Sequence, residues 1–184
     1  MICEKTSIGP SVLLENEQKW NESHWFAVYT KSRHEKLLEQ ELRKKQIQTF
    51  LPLRTVTRFW SDRKKNIEEP IFKSYLFVRI PWKERWSVLN SVGAVNFVGP
   101  HLSYPVEVSE NEIISIQKFI QEKVSLDPFP YLKQGQRVYV RSGPFKGVEG
   151  FVVRKDSHCR LVISLDLLMQ SISVAIDEAC VEPL

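Results

Sequence analysis

Residues 135–153, which read GQRVYVRSGPFKGVEGFVV, determine the fold that we predict for the C-terminal third of the chain. A turn glycine opens the stretch, and Val138 and Val140 then alternate with polar side chains, as on a strand with one buried face. A Gly-Pro-Phe loop ending at Phe145 follows, and a further glycine precedes a second apolar run. Two strands joined by a short glycine-rich loop predict the opening half of a small β-barrel.

A proline-rich connection separates this stretch from the rest of the chain. Residues 125–130 read SLDPFP, and two prolines so close together cannot continue a helix, so we assign 125–131 to a linker. Beyond it, 132–184 contains only short strand-like segments, among them 161–165 and 171–176. These features predict a C-terminal barrel of about five strands and about 50 residues, near the lower limit for independent folding.

Before the linker, strands alternate with helices. Residues 1–22 form a polar leader, and 23–124 is predicted to be an α+β domain, a sheet with helices on one face. Strands are expected at 25–29, 49–52, 74–80 and 94–98, and a basic hairpin at 54–71. Helices are expected after the capping-box pairs Ser32/Glu35 and Ser109/Glu112, and after Pro81.

Two of these elements carry informative apolar faces. In the strand at 74–80, Tyr75 and Phe77 share one face, and aliphatic side chains occupy the other. Because one face must pack on the helices, an aromatic pair on the opposite face is suited to receive a helix of a partner. Trp82 and Trp86 lie at helical spacing and predict a buried stripe.

Positive charge is concentrated in one segment. Residues 31–65 contain 11 Lys and Arg against 4 Asp and Glu, a net charge of +7, whereas the whole chain carries +4. One interpretation is a solvated helix face followed by an exposed hairpin. The other is a surface for a polyanion, since clustered Lys and Arg attract phosphates without sequence-specific contacts.

Several classes of protein are disfavoured by what the sequence lacks. No apolar run approaches the roughly 20 residues that span a bilayer, and the acidic start lacks the pattern of a signal peptide, so we expect a cytoplasmic protein without a membrane. Cys3, Cys159 and Cys180 are too few and too scattered for a disulfide framework. His158 and Cys159 are adjacent, but no further ligand pair, orienting acid or phosphate loop accompanies them. We therefore expect no enzyme, no metal and no cofactor.

Taken together, these segments resemble the NusG family of transcription elongation factors. The resemblance covers about residues 24–184: a Trp-Phe-Ala-Val-Tyr strand, a Phe-Leu-Pro strand, the run PIFKSYLFV at 70–78, and VNFVG at 95–99. The stretch 135–153 is similar to the family's KOW motif, which opens an SH3-like barrel. The run that begins at 69–72 and ends in Tyr-Leu-Phe-Val at 75–78, and the hairpin at 54–69, look closer to the specialised RfaH- and UpxY-type antiterminators than to housekeeping members. Housekeeping members usually carry Phe-Pro-Gly-Tyr where residues 72–75 read Phe-Lys-Ser-Tyr.

The resemblance implies a function. The N-terminal domain of such a factor docks on the clamp helices of the largest subunit of RNA polymerase and suppresses pausing, and the barrel recruits ribosomal protein S10 or Rho. Residues implied for polymerase contact are Phe72, Tyr75, Phe50 and Phe97, and Phe145 is implied for the partner of the barrel. Residues implied for contact with non-template or upstream DNA are Lys31, Arg33, His34, Arg58, Arg63, Lys64 and Lys65.

We therefore predict a monomeric, non-catalytic elongation and antitermination factor that serves a subset of operons. Two alternatives remain open: a housekeeping factor that acts with Rho at most genes, and a ribosome-associated RNA-binding KOW protein. The glycines at 143, 147 and 150 and the β-branched residues at 172–176 disfavour a helical form of the C-terminal domain, so we expect a stable barrel.

Overall fold

A computed structural model describes residues 21–59, 64–99, 106–122, 127–129, 135–155 and 158–184. Most of the predicted leader and linker, and Arg63, lie outside the described residues. The strands are β1 (Ser23–Thr30), β2 (Gln48–Phe50), β3 (Leu53–Phe59), β4 (Lys64–Pro70), β5 (Tyr75–Pro81), β6 (Ala94–Phe97), β7 (Glu107–Val108), β8 (Asp127–Phe129), β9 (Gln136–Val140), β10 (Glu149–Lys155), β11 (His158–Leu165), β12 (Gln170–Ala175) and β13 (Val181–Pro183). The helices are α1 (Glu35–Lys44), α2 (Arg85–Leu89) and α3 (Glu110–Gln121), with single 3-10 turns at Trp82–Glu84, Asp166–Leu168 and Glu178–Cys180.

The N-terminal sheet is antiparallel and has the strand order β2-β5-β1-β6, with β7 also paired to β1. In the β1–β5 register, Tyr29 lies opposite Tyr75 and Ala27 lies opposite Phe77. The predicted alternation along β5 is confirmed, because Tyr75 and Phe77 share a face with these two residues of β1.

Helices α1 and α2 cover one face of this sheet. Leu38 and Leu42 of α1 and Val88 of α2 are buried in one cluster with the aliphatic residues of β5. Helix α3 belongs to the other face, since Ile116 and Phe119 are buried in a cluster with Trp25, Ala27 and Phe77. The sheet is therefore covered by α1 and α2 on one side and partly by α3 on the other, and the second side is the one that bears the aromatic residues of β5.

The starts of the helices test the capping predictions. The capping box of α3 is confirmed, and the backbone N–H of Ser109 donates to Glu112 Oε2 at 3.1 Å. The box predicted at Ser32 is wrong, because α1 begins at Glu35 with His34 as its N-cap. The buried stripe predicted after Pro81 is right for Trp82 but wrong for Trp86, whose side chain is 53% exposed.

Strands β3 and β4 form the predicted hairpin as a separate two-stranded sheet. Its base is tied to α1, because Lys36 Nζ donates to the backbone oxygen of Glu68 at 3.0 Å. The hairpin therefore extends from the N-terminal sheet at the side where α1 begins.

The C-terminal residues form an antiparallel sheet of six strands in the order β13-β9-β10-β11-β12-β8. Strand β8 comes from the segment assigned to the linker, and Phe129 pairs with Ser171 of β12. Glycine is required at position 150, where β10 runs close beside β11, since a Cβ there would lie 2.6 Å from the carbonyl oxygen of Val162. This region is β-structured, as predicted. Within the described parts of the chain, no helix has the length and apolar character needed to cross a membrane.

Candidate docking and nucleic-acid surfaces

The aromatic face of the N-terminal sheet ends in two tyrosines. Tyr29 of β1 and Tyr75 of β5 are paired in register, and their ring centroids are 5.6 Å apart. Tyr29 is 45% exposed, Tyr75 is half-buried, and Asn96 of β6, opposite Tyr29, is exposed. We call these three residues the tyrosine patch. It offers aromatic rings with polar tips to a partner, a composition typical of protein interfaces.

A tight turn that is anchored to α1 holds Tyr75 in place. Ser74, with φ of 64°, donates its backbone N–H to Glu35 Oε1 at 2.8 Å, and its carbonyl oxygen accepts from the N–H of Thr30 at 2.9 Å. The Glu35 side chain is buried, so this carboxylate acts as a fixed acceptor for the turn. Sequence reasoning missed this role because it assigned Glu35 to the cap of its own helix.

Phe72 and Phe50 both contact Phe77, which lies on the same face of β5 as Tyr75. Phe72 is 1% exposed and meets Phe77 edge-on, with ring centroids 6.0 Å apart. Phe50 is half-buried and stacks on Phe77, also at 6.0 Å. Of the four residues predicted to contact polymerase, Tyr75 and Phe50 are partly exposed, whereas Phe72 is buried against Phe77.

Phe97 lies on the opposite face of the sheet. It is buried in the cluster under α1 and α2, with its ring 6.0 Å from Phe26 and 4.8 Å from Trp82. The structure thus does not bring Phe97 together with Tyr75. Tyr29 takes that place in the patch, and sequence reasoning missed it because only the β1–β5 register shows which residue of β1 faces Tyr75.

Three of the predicted DNA contacts lie together on the loop between β1 and α1. Lys31 and Arg33 are exposed, and His34 is half-buried with its Nδ1 2.9 Å from the backbone oxygen of Ser32. The loop packs on Gly93, where a Cβ would lie 2.8 Å from the Cβ of His34. The two cationic side chains are therefore presented to solvent from a fixed loop.

The hairpin carries the remaining predicted DNA contacts that the structure describes. Arg58 forms an ion pair with Glu69 at 2.7 Å, and its hydrogen bonds lower the pKa of the Glu69 carboxyl. Lys64 and Lys65 are exposed at the start of β4, next to the end of the hairpin that is farthest from α1. Among the described residues of the hairpin, Lys64 and Lys65 thus have no ion-pair partner, whereas Arg58 is compensated by Glu69.

Phe145 occupies the loop between β9 and β10, but it does not project into solvent. It is 4% exposed, and its ring lies edge-on to Phe119 of α3 with centroids 4.8 Å apart. Beside it, Lys118 Nζ donates to the backbone oxygen of Lys146 at 2.9 Å. The C-terminal sheet therefore packs on the helix that covers part of the aromatic face.

A cleft of about 540 Å³ lies along this contact between α3 and the C-terminal sheet. Glu112 and Lys118 of α3 line it, together with Arg137 and Asp166 of the C-terminal region. Burial raises the pKa of Glu112, and the nearby carboxylate of Asp166 raises it further. No group of three or more His, Cys, Asp or Glu side chains suited to a metal ion occurs among the described residues.

Comparison with known proteins identifies the family. The sequence profile of the family described as "Transcription termination factor nusG" matches residues 23–117, just over half of the chain. The chain belongs to the NusG family. The chain therefore shares the fold of a family of transcription factors. The sheet with the tyrosine patch lies within the residues that match this family.

Two curated relatives and one solved structure agree with this assignment. Transcription termination/antitermination protein NusG of Borreliella burgdorferi is 23% identical over 173 residues, covering 83% of this chain and 94% of that protein. The protein of the same name from Synechocystis sp. is 27% identical over 164 residues, covering 76% of this chain and 78% of its own. The structure titled "Domain interaction in Thermotoga maritima NusG" has a TM-score of 0.54 at 21% identity, covers 90% of this chain and 99% of its own, and supports the fold.

Proposed function

We propose that this NusG-family protein is an elongation and antitermination factor that docks on RNA polymerase through the tyrosine patch. The observation that carries the proposal is the uneven covering of one sheet face: α3 buries one end, whereas at the other end Tyr29 is exposed and Tyr75 is only partly buried. The partner is the coiled-coil clamp helices of the largest subunit, which the resemblance to the family implies. Docking there stabilises the closed, elongating state over its open alternative and thereby suppresses pausing, by binding energy alone.

The patch is suited to this role because it combines apolar area with little conformational freedom. Tyrosine has two side-chain torsions, so ordering it costs less than ordering a long aliphatic chain, and buried tyrosines are frequent hot spots. Phe72 packs against Phe77, the neighbour of Tyr75 on the same face of β5. A helix laid across the patch would bury both rings while their hydroxyl groups stay near its solvated edge.

The cationic side chains of the β1–α1 loop and of the hairpin bind DNA in the proposed complex. Lys31, Arg33 and His34 on the β1–α1 loop face the displaced non-template strand, and Lys64 and Lys65 of the hairpin, with Arg58 and Arg63, face the upstream DNA. Because these contacts are made to phosphates, they add affinity that weakens with salt and is independent of sequence.

The C-terminal sheet recruits the second partner, ribosomal protein S10 or Rho, and Phe145 contributes to that contact. Phe145 is covered by Phe119 in the arrangement described above. The partner and α3 therefore compete for the same side chain, and recruitment requires the C-terminal sheet to leave α3.

We further propose that the factor serves a subset of operons in the cytoplasm. The support is the sequence Phe-Lys-Ser-Tyr at 72–75, which places the positive-φ turn on Ser74 where housekeeping members carry glycine. Chromosome-wide occupancy separates the two possibilities. Signal confined to a few transcription units is the expected result, and a uniform signal over most genes would establish the housekeeping role instead.

The docking proposal is tested by capture of the full-length protein on immobilised clamp helices. Tyr75→Ala and Tyr29→Ala should each weaken capture by roughly 30-fold, as expected for hot-spot residues worth about 2 kcal/mol, without lowering the melting temperature by more than a few degrees. Tyr139→Ala, which changes a half-buried tyrosine of the C-terminal sheet, is the matched control and should capture normally. Unchanged capture by both patch variants would refute the patch, and co-sedimentation with ribosomes but not polymerase would favour the RNA-binding alternative.

A further inference from the structure

The most exposed large apolar side chain in the described part of the chain is Phe59, at 74%. It is the last residue of β3 and lies opposite Lys64, the first residue of β4. Lys64 Nζ sits 5.1 Å from the centroid of the Phe59 ring, within the range of a cation–π contact. An aromatic ring and an ammonium group are thus presented side by side near the outer end of the hairpin.

Packing does not account for this phenylalanine. The next cross-strand pair on its face of the hairpin is polar, with Thr57 Oγ1 donating to Asn66 Oδ1 at 2.8 Å. The half-buried aliphatic pair of the hairpin, Val56 and Ile67, lies on the opposite face. The ring of Phe59 therefore contributes little to the stability of the hairpin.

Charge along the hairpin indicates what could cover the ring. Glu68 at the base lies 3.8 Å from Lys36 Nζ. Glu69, also at the base, pairs with Arg58, so each of these two acidic groups is balanced by a cation. At the outer half, Lys64 and Lys65 are exposed, and neither has a carboxylate partner among the described residues. The described residues beside Phe59 are therefore cationic, which favours an anionic occupant with flat apolar parts.

We propose that Phe59 and Lys64 form a binding site for single-stranded nucleic acid, in which a base stacks on the Phe59 ring and an adjacent phosphate contacts Lys64. Lys65 lies on the opposite face of the hairpin and adds to the positive charge around the site. Stacking of bases on aromatic side chains combined with a cationic track is the general mode of single-strand binding. A duplex keeps its bases stacked on each other and offers the ring no free face, so the site prefers single strands. This inference rests on the nucleic-acid surface proposed above and narrows the occupant of the outer hairpin to an unpaired strand of that DNA. It does not rest on the polymerase contact.

The test measures binding of a short fluorescein-labelled oligothymidylate to the full-length protein by anisotropy at low salt. Phe59→Leu keeps an apolar side chain in the strand but removes the aromatic face, and it should weaken binding roughly tenfold. Phe59→Trp should retain the wild-type affinity or improve on it. Lys64→Gln should weaken binding and make the dependence on the logarithm of salt concentration less steep by about 0.7.

A matched control is provided by Trp86, a second exposed aromatic side chain beside a cation, with Arg85 Cζ 5.3 Å from its ring. Trp86→Leu should leave oligothymidylate binding unchanged, and a loss equal to that of Phe59→Leu would show that binding is not specific to the hairpin. If Lys64→Gln and Lys65→Gln weaken binding but Phe59→Leu does not, the stacking site is wrong and the phosphate surface stands. If the wild type fails to bind at low salt, or binds duplex as tightly as single strand, the inference is overturned.

Discussion

Trp25 and Tyr29 lie on the same face of β1, yet their surroundings differ. At the Trp25 end, β7 pairs with β1, α3 lies over the face, and Arg79 of β5 forms an ion pair with Glu110 of α3 at 3.5 Å. At the Tyr29 end no described element covers the rings, and Tyr29 is nearly half-exposed. The face is thus one continuous aromatic surface that the protein covers only in part.

The residue types at the two ends fit this difference. Trp25, Phe77 and Phe119 are buried where α3 lies, and the open end carries tyrosines, whose hydroxyl groups keep a contact with water. An apolar ring left open would favour aggregation, whereas a tyrosine pair remains soluble and still provides area for a partner. Partial covering by the chain's own helix therefore defines where a foreign helix can bind.

The largest effect on stability should come from a substitution at the end of the aromatic face that α3 covers. Phe119 is fully buried between the N-terminal sheet and the loop that carries Phe145. Phe119→Ala should lower the free energy of unfolding by about 3–5 kcal/mol, because it removes a large ring from a filled core. Urea unfolding followed by far-UV circular dichroism measures this change.

The matched control for that variant lies on the same helix. Ile114 is 41% exposed, so Ile114→Ala should change the stability by no more than about 0.5 kcal/mol. Similar stabilities for the two variants would mean that the end described as covered is open in solution, and the comparison between the two ends would fail.

Some of this arrangement could be predicted from the sequence, because local patterns determine it. Alternation along β5 assigns Tyr75 and Phe77 to one face, and the spacing from Ser109 to Glu112 marks the start of α3. At Ser32 the same spacing misleads, since Arg33 adopts a φ of 62° and interrupts the helical run. Glu35 then becomes the first helical residue, and its carboxylate turns to Ser74.

What the sequence could not indicate depends on contacts between distant segments. Phe145 sits on a glycine-flanked loop, which predicts exposure, but α3 covers it from a position far away in the chain. Likewise, Tyr29 joins the candidate site only through its pairing with Tyr75. Both contacts require the register and the docking of whole elements, which periodicity does not contain.

A smaller effect on stability is expected from Glu35, which anchors the turn beside Tyr75 at the open end of the aromatic face. Glu35→Ala removes the acceptor of the Ser74 N–H and should lower the free energy of unfolding by about 1–3 kcal/mol. It should also weaken capture on clamp helices, since the turn that places Tyr75 loses its anchor. Glu35→Gln retains an oxygen acceptor and should recover part of both losses. Normal capture by a destabilised Glu35→Ala protein would show that the turn does not position the patch.

The smallest effect concerns how the free energy of unfolding depends on pH through Glu112, at the end that α3 covers. The pKa of Glu112 is raised, first by burial and then by Asp166, although the N–H of Ser109 opposes the shift. As the pH rises from the ordinary value of 4.5 through the raised folded pKa, the unfolded chain loses this proton first, so stability falls across that window. A glutamine at position 112 cannot ionise but keeps an oxygen for the cap, so Glu112→Gln should flatten this fall of stability with pH in urea unfolding.

Because the carboxylate of Asp166 lies near Glu112 only while the C-terminal sheet packs on α3, Asp166→Asn should reduce the fall as well. If both variants follow the wild-type pH profile, Glu112 is not held against the C-terminal sheet in solution, and α3 is covered on one side only.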